Sequence, residues 1–366
     1  MPTTYAIPDG RTVMAATLYT GAGGTQTISN LNNGVSFQPD FVWGKARSAA
    51  YGSALFDSNR GFGSTKGLVT SLTQAEGTVS AQYGYISTNT STGFTATGGT
   101  DGSNPNAALN ESGVTYVAWQ WKAGGTAVSN TAGSITSQVS ANTTAGFSVV
   151  TYTGNGTSGT IGHGLGVAPQ MIIVKRRSAA QDWIVAHIGI GGTGGMGNNF
   201  MYLNQTGGNA GPYAGCFNNT LPTTSVFSVG NDTSTNASGS TYVAYCFAPV
   251  AGYSAFGSFT GNGSADGPFV YTGFRPAFVM AKLSSATGDW NIVDDMRQTY
   301  NDASGNPVLR ANLSSAEEDV DTMQGQMDIL SNGFKLRSNN SSLNASGGTI
   351  IYAAFAKSPF KYANAR

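Results

Sequence analysis

The sequence predicts an all-β protein built of three tandem homologous β-sandwich domains, jelly-roll-like in form. Three observations carry this. One stretch recurs three times: a proline, a short apolar run and then a cation. The copies run Pro39-Asp40-Phe41-Val42-Trp43-Gly44-Lys45, Pro169-Gln170-Met171-Ile172-Ile173-Val174-Lys175 and Pro276-Ala277-Phe278-Val279-Met280-Ala281-Lys282. Further landmarks keep the same order around each copy. The spacing, about 105–130 residues, is that of a whole domain and far exceeds the ~20–50 residues of a solenoid repeat.

The landmarks are easily named. Upstream lies an aromatic-Thr-Gly turn, at Tyr19-Thr20-Gly21, Tyr152-Thr153-Gly154 and Phe259-Thr260-Gly261. Downstream a strand starts at Gly93-Phe94, Val226-Phe227 and Gly333-Phe334. Each unit closes on an aromatic strand: Thr115 to Trp121, Thr241 to Phe247, and Ile350 to Phe355. Short strands at regular spacing, with Gly and Asn turns between them, favour a sandwich or barrel. About a hundred residues with many strands need two packed sheets to bury both sets of inward side chains.

In chain order, residues 1–14 are a lead-in with a turn at Pro8-Asp9-Gly10, read as an arm packed on the first domain. Domain one spans 15–122. Its strand Leu55-Phe56-Asp57-Ser58-Asn59-Arg60 has a counterpart in Ile292-Val293-Asp294-Asp295-Met296-Arg297. Asp57 aligns with Asp294 and Arg60 with Arg297, and each pair reads as a local salt bridge that pins a turn. Residues 123–144 are almost wholly small and neutral, a linker or an added hairpin. Domain two spans 145–249 and contains a glycine-rich surface loop from Gly189 to Gly197. Domain three spans 250–366. A helical turn is expected near Ser314–Asp319, where Ser is followed by Glu three residues on. The aromatic end, Ser358-Pro359-Phe360-Lys361-Tyr362, is expected to dock on a domain.

Composition narrows the function. Charged residues make up 10% of the chain and the formal net charge is zero, against about a quarter charged in ordinary domains. There is no basic footprint for nucleic acid and no polybasic patch for a membrane surface. No apolar run is long enough for membrane insertion. The start, Met1-Pro2-Thr3-Thr4-Tyr5, lacks a secretory pattern, so synthesis in a cytoplasm and release without standard secretion are expected. Cys216 and Cys246 could bridge, but free buried thiols are the favoured reading. The many Asn-x-Ser/Thr triplets read as accidents of composition.

Little chemistry is on offer. Only two histidines occur, His163 and His187, and neither belongs to a metal-ligand pattern. His163, in a glycine turn, reads as surface-exposed. Asp101-Gly102-Ser103-Asn104 fails the calcium-loop spacing. No nucleophile elbow with a triad appears, and the sequence pairs no two carboxylates as a glycosidase requires. No catalytic residue, metal site or cofactor is therefore assigned. Asp182-Trp183 and Asp289-Trp290 could each bind a sugar, with a ring to stack and a carboxylate to accept hydroxyls. Repetition at matched positions favours core tryptophans instead. Tyr51, Tyr83, Tyr85, Tyr202 and Tyr213 are the candidate contacts on loops, with ordinary strand packing an equal alternative.

Taken together, the turns, the Pro-x-Phe/Met-Val/Ile-x-x-Lys-x-Arg strand at Pro39 and Pro169, the Leu55–Gly61 stretch, Tyr116–Gly124 and the C-terminal Ser358–Arg366 resemble a repeated module of tailed-bacteriophage virion proteins, fibre-like ones above all. Domain three departs from the pattern, with Leu283 where the second cation would fall. The resemblance implies a virion location after synthesis in the host cytoplasm, β-rich domains, other virion proteins as partners and no catalytic residues. By analogy it implies a homo-oligomer, a trimer in particular, and a glycan or protein of the host surface as ligand. The leading expectation is a non-enzymatic tail fibre or receptor-binding protein, whose repeated weak sites would gain avidity. A head or neck decoration protein is the alternative, and a glycan-degrading tailspike the second alternative.

Overall fold

The computed structural model describes residues 4–78, 81–100, 109–297, 301, 307–317 and 327–359. The protein is all-β, 41% strand against 6% helix. Three large antiparallel sheets follow one another along the chain. The first orders its strands Met14–Thr20, Thr115–Trp121, Phe41–Ala46, Ala54–Asp57 and Leu68–Val69. The second has seven strands and the third five, and each again places its closing strand beside the recurrent one. Three small sheets accompany them. Gly93–Thr97 lies between Thr25–Ser29 and Tyr85–Thr90, Gly159–Gly162 pairs with Val226–Val229, and Gly333–Leu336 lies between Phe269–Tyr271 and Met327–Leu330.

Strand register makes the repeats exact in places. Phe41 lies opposite both Trp121 and Asp57. Met171 lies opposite Phe247 and His187, and Phe278 opposite Phe355 and Asp294. Trp121, Phe247 and Phe355 are thus equivalent, and so are Asp57, His187 and Asp294.

The recurrent strands are apolar on both faces because both faces are covered. On one face Phe41, Trp43, Met171, Ile173, Phe278 and Met280 enter a single core to which all three large sheets contribute. Its middle is aromatic. The rings of Trp121, Phe247 and Phe355 meet pairwise, with centroids 6.3, 5.5 and 5.7 Å apart. On the other face Val42 and Phe56 pack with Ile28, Ile86 and Phe94 of the first small sheet. Val150, Ile172 and Tyr242 pack likewise with Ile161, Phe227 and Val229 in the second. The first two small sheets each cover an outer core of their own repeat, whereas Val270, Phe334 and Leu336 of the third join the core shared by all three large sheets.

Some details follow the sequence reading and others depart from it. Residues 123–144 hold a hairpin, Val128–Asn130 with Ser137–Asn142, which extends the second large sheet beside Phe147–Thr153. The lead-in buries Ile7 and Val13 in the shared core and lies against the last strand of the chain. A Cβ on Gly10 would stand 1.9 Å from the Ala356 carbonyl oxygen, so only glycine fits there. No helix forms over Ser314–Glu317, and Glu318 and Asp319 lie outside the described residues. So do Asp101–Asn104 and the chain beyond Pro359. Single helical turns occur at Ala214–Phe217, Thr233–Asn236 and Ser341–Asn344 instead. The loop from Gly189 to Gly197 is anchored by buried Ile190 and Met196. Cys216 and Cys246 are free and buried. His163 is not at the surface: it is fully buried, accepting the Leu165 N–H at Nδ1 and donating from Nε2 to the Thr223 carbonyl.

Candidate functional site

The recurrent cation does not face solvent. Lys45, Lys175 and Lys282 are fully buried. Each ammonium donates to two carbonyls, one in its own repeat and one in the repeat before it in a cycle. Lys45 reaches Tyr51 O and Leu313 O, at 2.8 and 2.9 Å. Lys175 reaches Thr73 O at 2.8 Å and Gln181 O at 2.5 Å, and Lys282 reaches Thr206 O at 3.0 Å and Leu283 O at 2.8 Å. First docks on third, second on first, third on second: the three repeats close on themselves. Burial lowers the lysines from 10.5 to about 7 for Lys45 and about 8 for the other two.

The expected Asp-Arg pairs form and take part in the same cycle. Arg60 Nε lies 2.5 Å from Asp57, and Arg297 Nε 2.6 Å from Asp294, with all four side chains buried. Each aspartate also accepts from the next repeat: Asp57 from the Tyr245 hydroxyl at 2.8 Å, Asp294 from the Trp119 indole at 3.0 Å. Beyond them Glu76 lies between Arg60 and Arg177, and Glu317 between Arg297 and Arg47. Among the described residues the junction of the second and third repeats has no such chain. His187 stands at the aspartate's place, donating from Nε2 to Tyr352 O at 3.0 Å and accepting the Gly189 N–H at Nδ1. Its burial lowers the imidazole pKa to about 4.

The tryptophans of the two Asp-Trp pairs lie in the core, the alternative that their repetition favours. Trp183 and Trp290 are buried to 0% and 1% exposure, so neither ring has a face to offer. Their indoles donate across a junction, Trp183 to Val69 O and Trp290 to Tyr202 O, both at 2.9 Å. Asp182 and Asp289 accept from Asn204 and Asn312, at 2.7 Å each, and those asparagines accept the Trp183 and Trp290 backbone N–H groups. Both carboxylates therefore orient a core tryptophan.

The candidate tyrosines do not form one site. Tyr51 is half-buried and bonded to Glu111, which pushes its pKa up to about 12. Tyr83 and Tyr85 pack on the outer core of the first repeat. Tyr202 is half-buried, edge-on to Phe200 at 5.4 Å. Tyr213 alone of the five is exposed, at 46%, with its hydroxyl on Asp232.

Two features escaped the sequence reading. Asn110, Asn236 and Asn344 are fully buried and clamp the Thr-Gly turn of their repeats. Asn236 accepts the Asn155 N–H and donates to Asn155 Oδ1, Thr157 O and Gly230 O. Asn344 makes the same set with Asn262, Ser264 and Ser338. The turns they hold need glycine in the left-handed region, at Gly23, Gly156 and Gly263 with φ of 76, 78 and 66°. The signal was present: Asn-x-Ser-Gly occurs at 110, 236 and 344, just before each closing strand.

The second feature is a cleft of about 700 Å³ between the first repeat's corner and the start of the added hairpin, lined by Gln38, Asp40, Asn59, Phe62 and Lys122 among others. Asp40 accepts from Ser58 and from the Ala123 and Gly125 N–H groups, and burial raises its pKa. None of the candidate site residues lines this cleft. Among the described residues no group of three or more His, Cys, Asp or Glu side chains is placed to hold a metal ion, and no helix is long and apolar enough to cross a membrane.

Comparison with known proteins gave no match among curated proteins or among solved structures. One family model, described as a domain of unknown function (DUF7483), matches residues 9–359. That match takes in all three repeats as one unit, and the chain belongs to this family.

Proposed function

We propose that the chain is a non-enzymatic structural protein of a tailed-phage virion, a fibre or receptor-binding appendage that meets the host surface. We also read each repeat as a two-sheet sandwich of jelly-roll type. In the first repeat, strand one pairs with the last and strand two with the next to last, so one long ribbon bends between the sheets.

The observation that carries the function is the closed cycle of repeats. Its acids and bases are spent on holding the body together: Asp57, Asp294, Glu76 and Glu317 pair with arginines, and Asp182 and Asp289 with asparagines. This suits a rigid presenting body better than a glycan-degrading enzyme, which needs two carboxylates free to face a groove. The cycle supplies within one chain the threefold arrangement for which a homotrimer is expected by analogy. Further copies would add avidity rather than complete the core.

Head or neck decoration is the second reading. Phe269 and Tyr271, 45% and 59% exposed on one edge strand, supply the apolar docking face it needs. Immunogold electron microscopy on intact particles separates the two. Label on the tail or its appendages supports attachment; label over the head supports decoration; particles without label overturn both.

A further inference from the structure

The cleft beside Asp40 can be judged against equivalent places in the same molecule. At the junction of third and first repeats the corner carries Asp295 and Met296, with Lys357 near the end of the closing strand, and about 20 Å³ of space remains. At the junction of second and third, Gly189 sits so close to Gly257 that a Cβ would stand 2.6 Å from its carbonyl oxygen. At the junction of first and second the matching positions are Ser58, Asn59 and Ala123, and the space is about 700 Å³. Small residues at one junction of three open a volume within the usual range of small-ligand sites, roughly 300–1,000 Å³.

We propose that this cleft binds a short neutral oligosaccharide. Its chemistry is that of a hydroxyl-rich ligand. Gln38 presents an exposed amide with both a donor and an acceptor. Asn59 donates to Gln138 O and Val149 O, which fixes its amide and leaves a buried Oδ1 with no partner. That oxygen is itself buried, so Asn59 lends the wall a fixed polar edge, and the open polar group of the cleft is the Gln38 amide. Phe62 is half-buried at the wall and offers a ring to the C–H face of a sugar. Lys122 is exposed and acts electrostatically on Asp40, so the one cation stands beside one carboxylate. That balance disfavours a phosphate or a strongly acidic glycan.

The inference deepens the attachment reading and can fail separately from it, since particle labelling is blind to sugar binding. The test is a glycan array of neutral and acidic oligosaccharides probed with the full chain, followed by calorimetric titration of the neutral hits. Gln38→Ala and Thr126→Trp, both at exposed positions, are the variants; the second fills the cleft. Loss of an amide contact should weaken binding about tenfold, and the filled cleft should bind at least that much more weakly. Tyr213→Ala, on the second repeat, should leave affinity unchanged. No neutral binder, binding confined to acidic glycans, or affinity that both cleft variants leave intact would overturn the proposal.

Discussion

Trp119 donates its indole N–H to Asp294, 3.0 Å away and 175 residues along the chain. The guanidinium of Arg297 stands over the same indole ring, 5.8 Å from its centroid. One buried carboxylate thus holds its own turn through Arg297 and the neighbouring repeat through Trp119. Tyr245 and Asp57 repeat the relationship between second and first repeats. The junctions follow from this: the third repeat locks to the first by the same groups that lock the first to the second.

Asp294→Ala should therefore be severe. It strips buried Arg297 of its hydrogen-bonded counter-charge and leaves only Glu317 at 3.8 Å, a change worth about 3–5 kcal/mol. Urea denaturation of the variant against the parent checks it. An effect below about 1 kcal/mol, the range of a surface pair, would mean that the pair is not buried in solution.

His187 makes the junction of second and third repeats acid-sensitive. Its folded pKa, about 4, lies below its ordinary 6.5. Between those values the unfolded chain binds a proton that the folded one refuses, so stability falls as pH drops from 6.5 toward 4. The full shift corresponds to roughly 3 kcal/mol. His163 is shifted in the same direction, so the measurement is the difference between the parent and His187→Gln. The parent's advantage should shrink across that window.

The buried lysines act at the other end of the pH scale. Lys45 titrates near 7 when folded and near 10.5 when unfolded. Stability should rise with pH between the two, because the unfolded chain holds the extra proton there. Lys45→Met removes that slope, so the parent should gain on the variant from about pH 7 to pH 10 in thermal melts. At pH 7 the variant also leaves Tyr51 O and Leu313 O without their donor.

Asn236 is a turn clamp that only an amide can provide. Asn236→Ala leaves the buried Gly230 carbonyl without a donor and frees the Asn155 turn, a loss of about 2–4 kcal/mol summed over the lost bonds. Asn236→Asp should fail similarly, since an ionised carboxylate donates no hydrogen bond to the oxygens that surround it. Denaturant midpoints of both variants test this, and a stable Asp variant would contradict it.

The sequence made the strands and their repetition legible because both are local. A proline, an apolar run and a cation mark Phe41–Ala46 wherever the strand packs. Asp57 and Arg60 were readable as a pair because three residues separate them. What lay beyond reach was ownership of the core. Alternation shows that Trp121 and Phe247 point inward, but not that they point at each other from different repeats. Three separate sandwiches and one shared core demand the same pattern. The same blindness left Trp183 and Trp290 open as ligand platforms, since the carbonyls that receive their indoles lie in the preceding repeat. The triplets at Asn110, Asn236 and Asn344 were lost in a background of Asn and Ser. The cleft beside Asp40 carries no motif, because it arises from small residues where another junction has large ones.

If the repeats share one core, they must unfold together. Differential scanning calorimetry of the full chain tests this directly. A single transition whose calorimetric and van't Hoff enthalpies agree is expected. Two or three resolved transitions would show that the repeats are separate domains and would contradict the closed cycle.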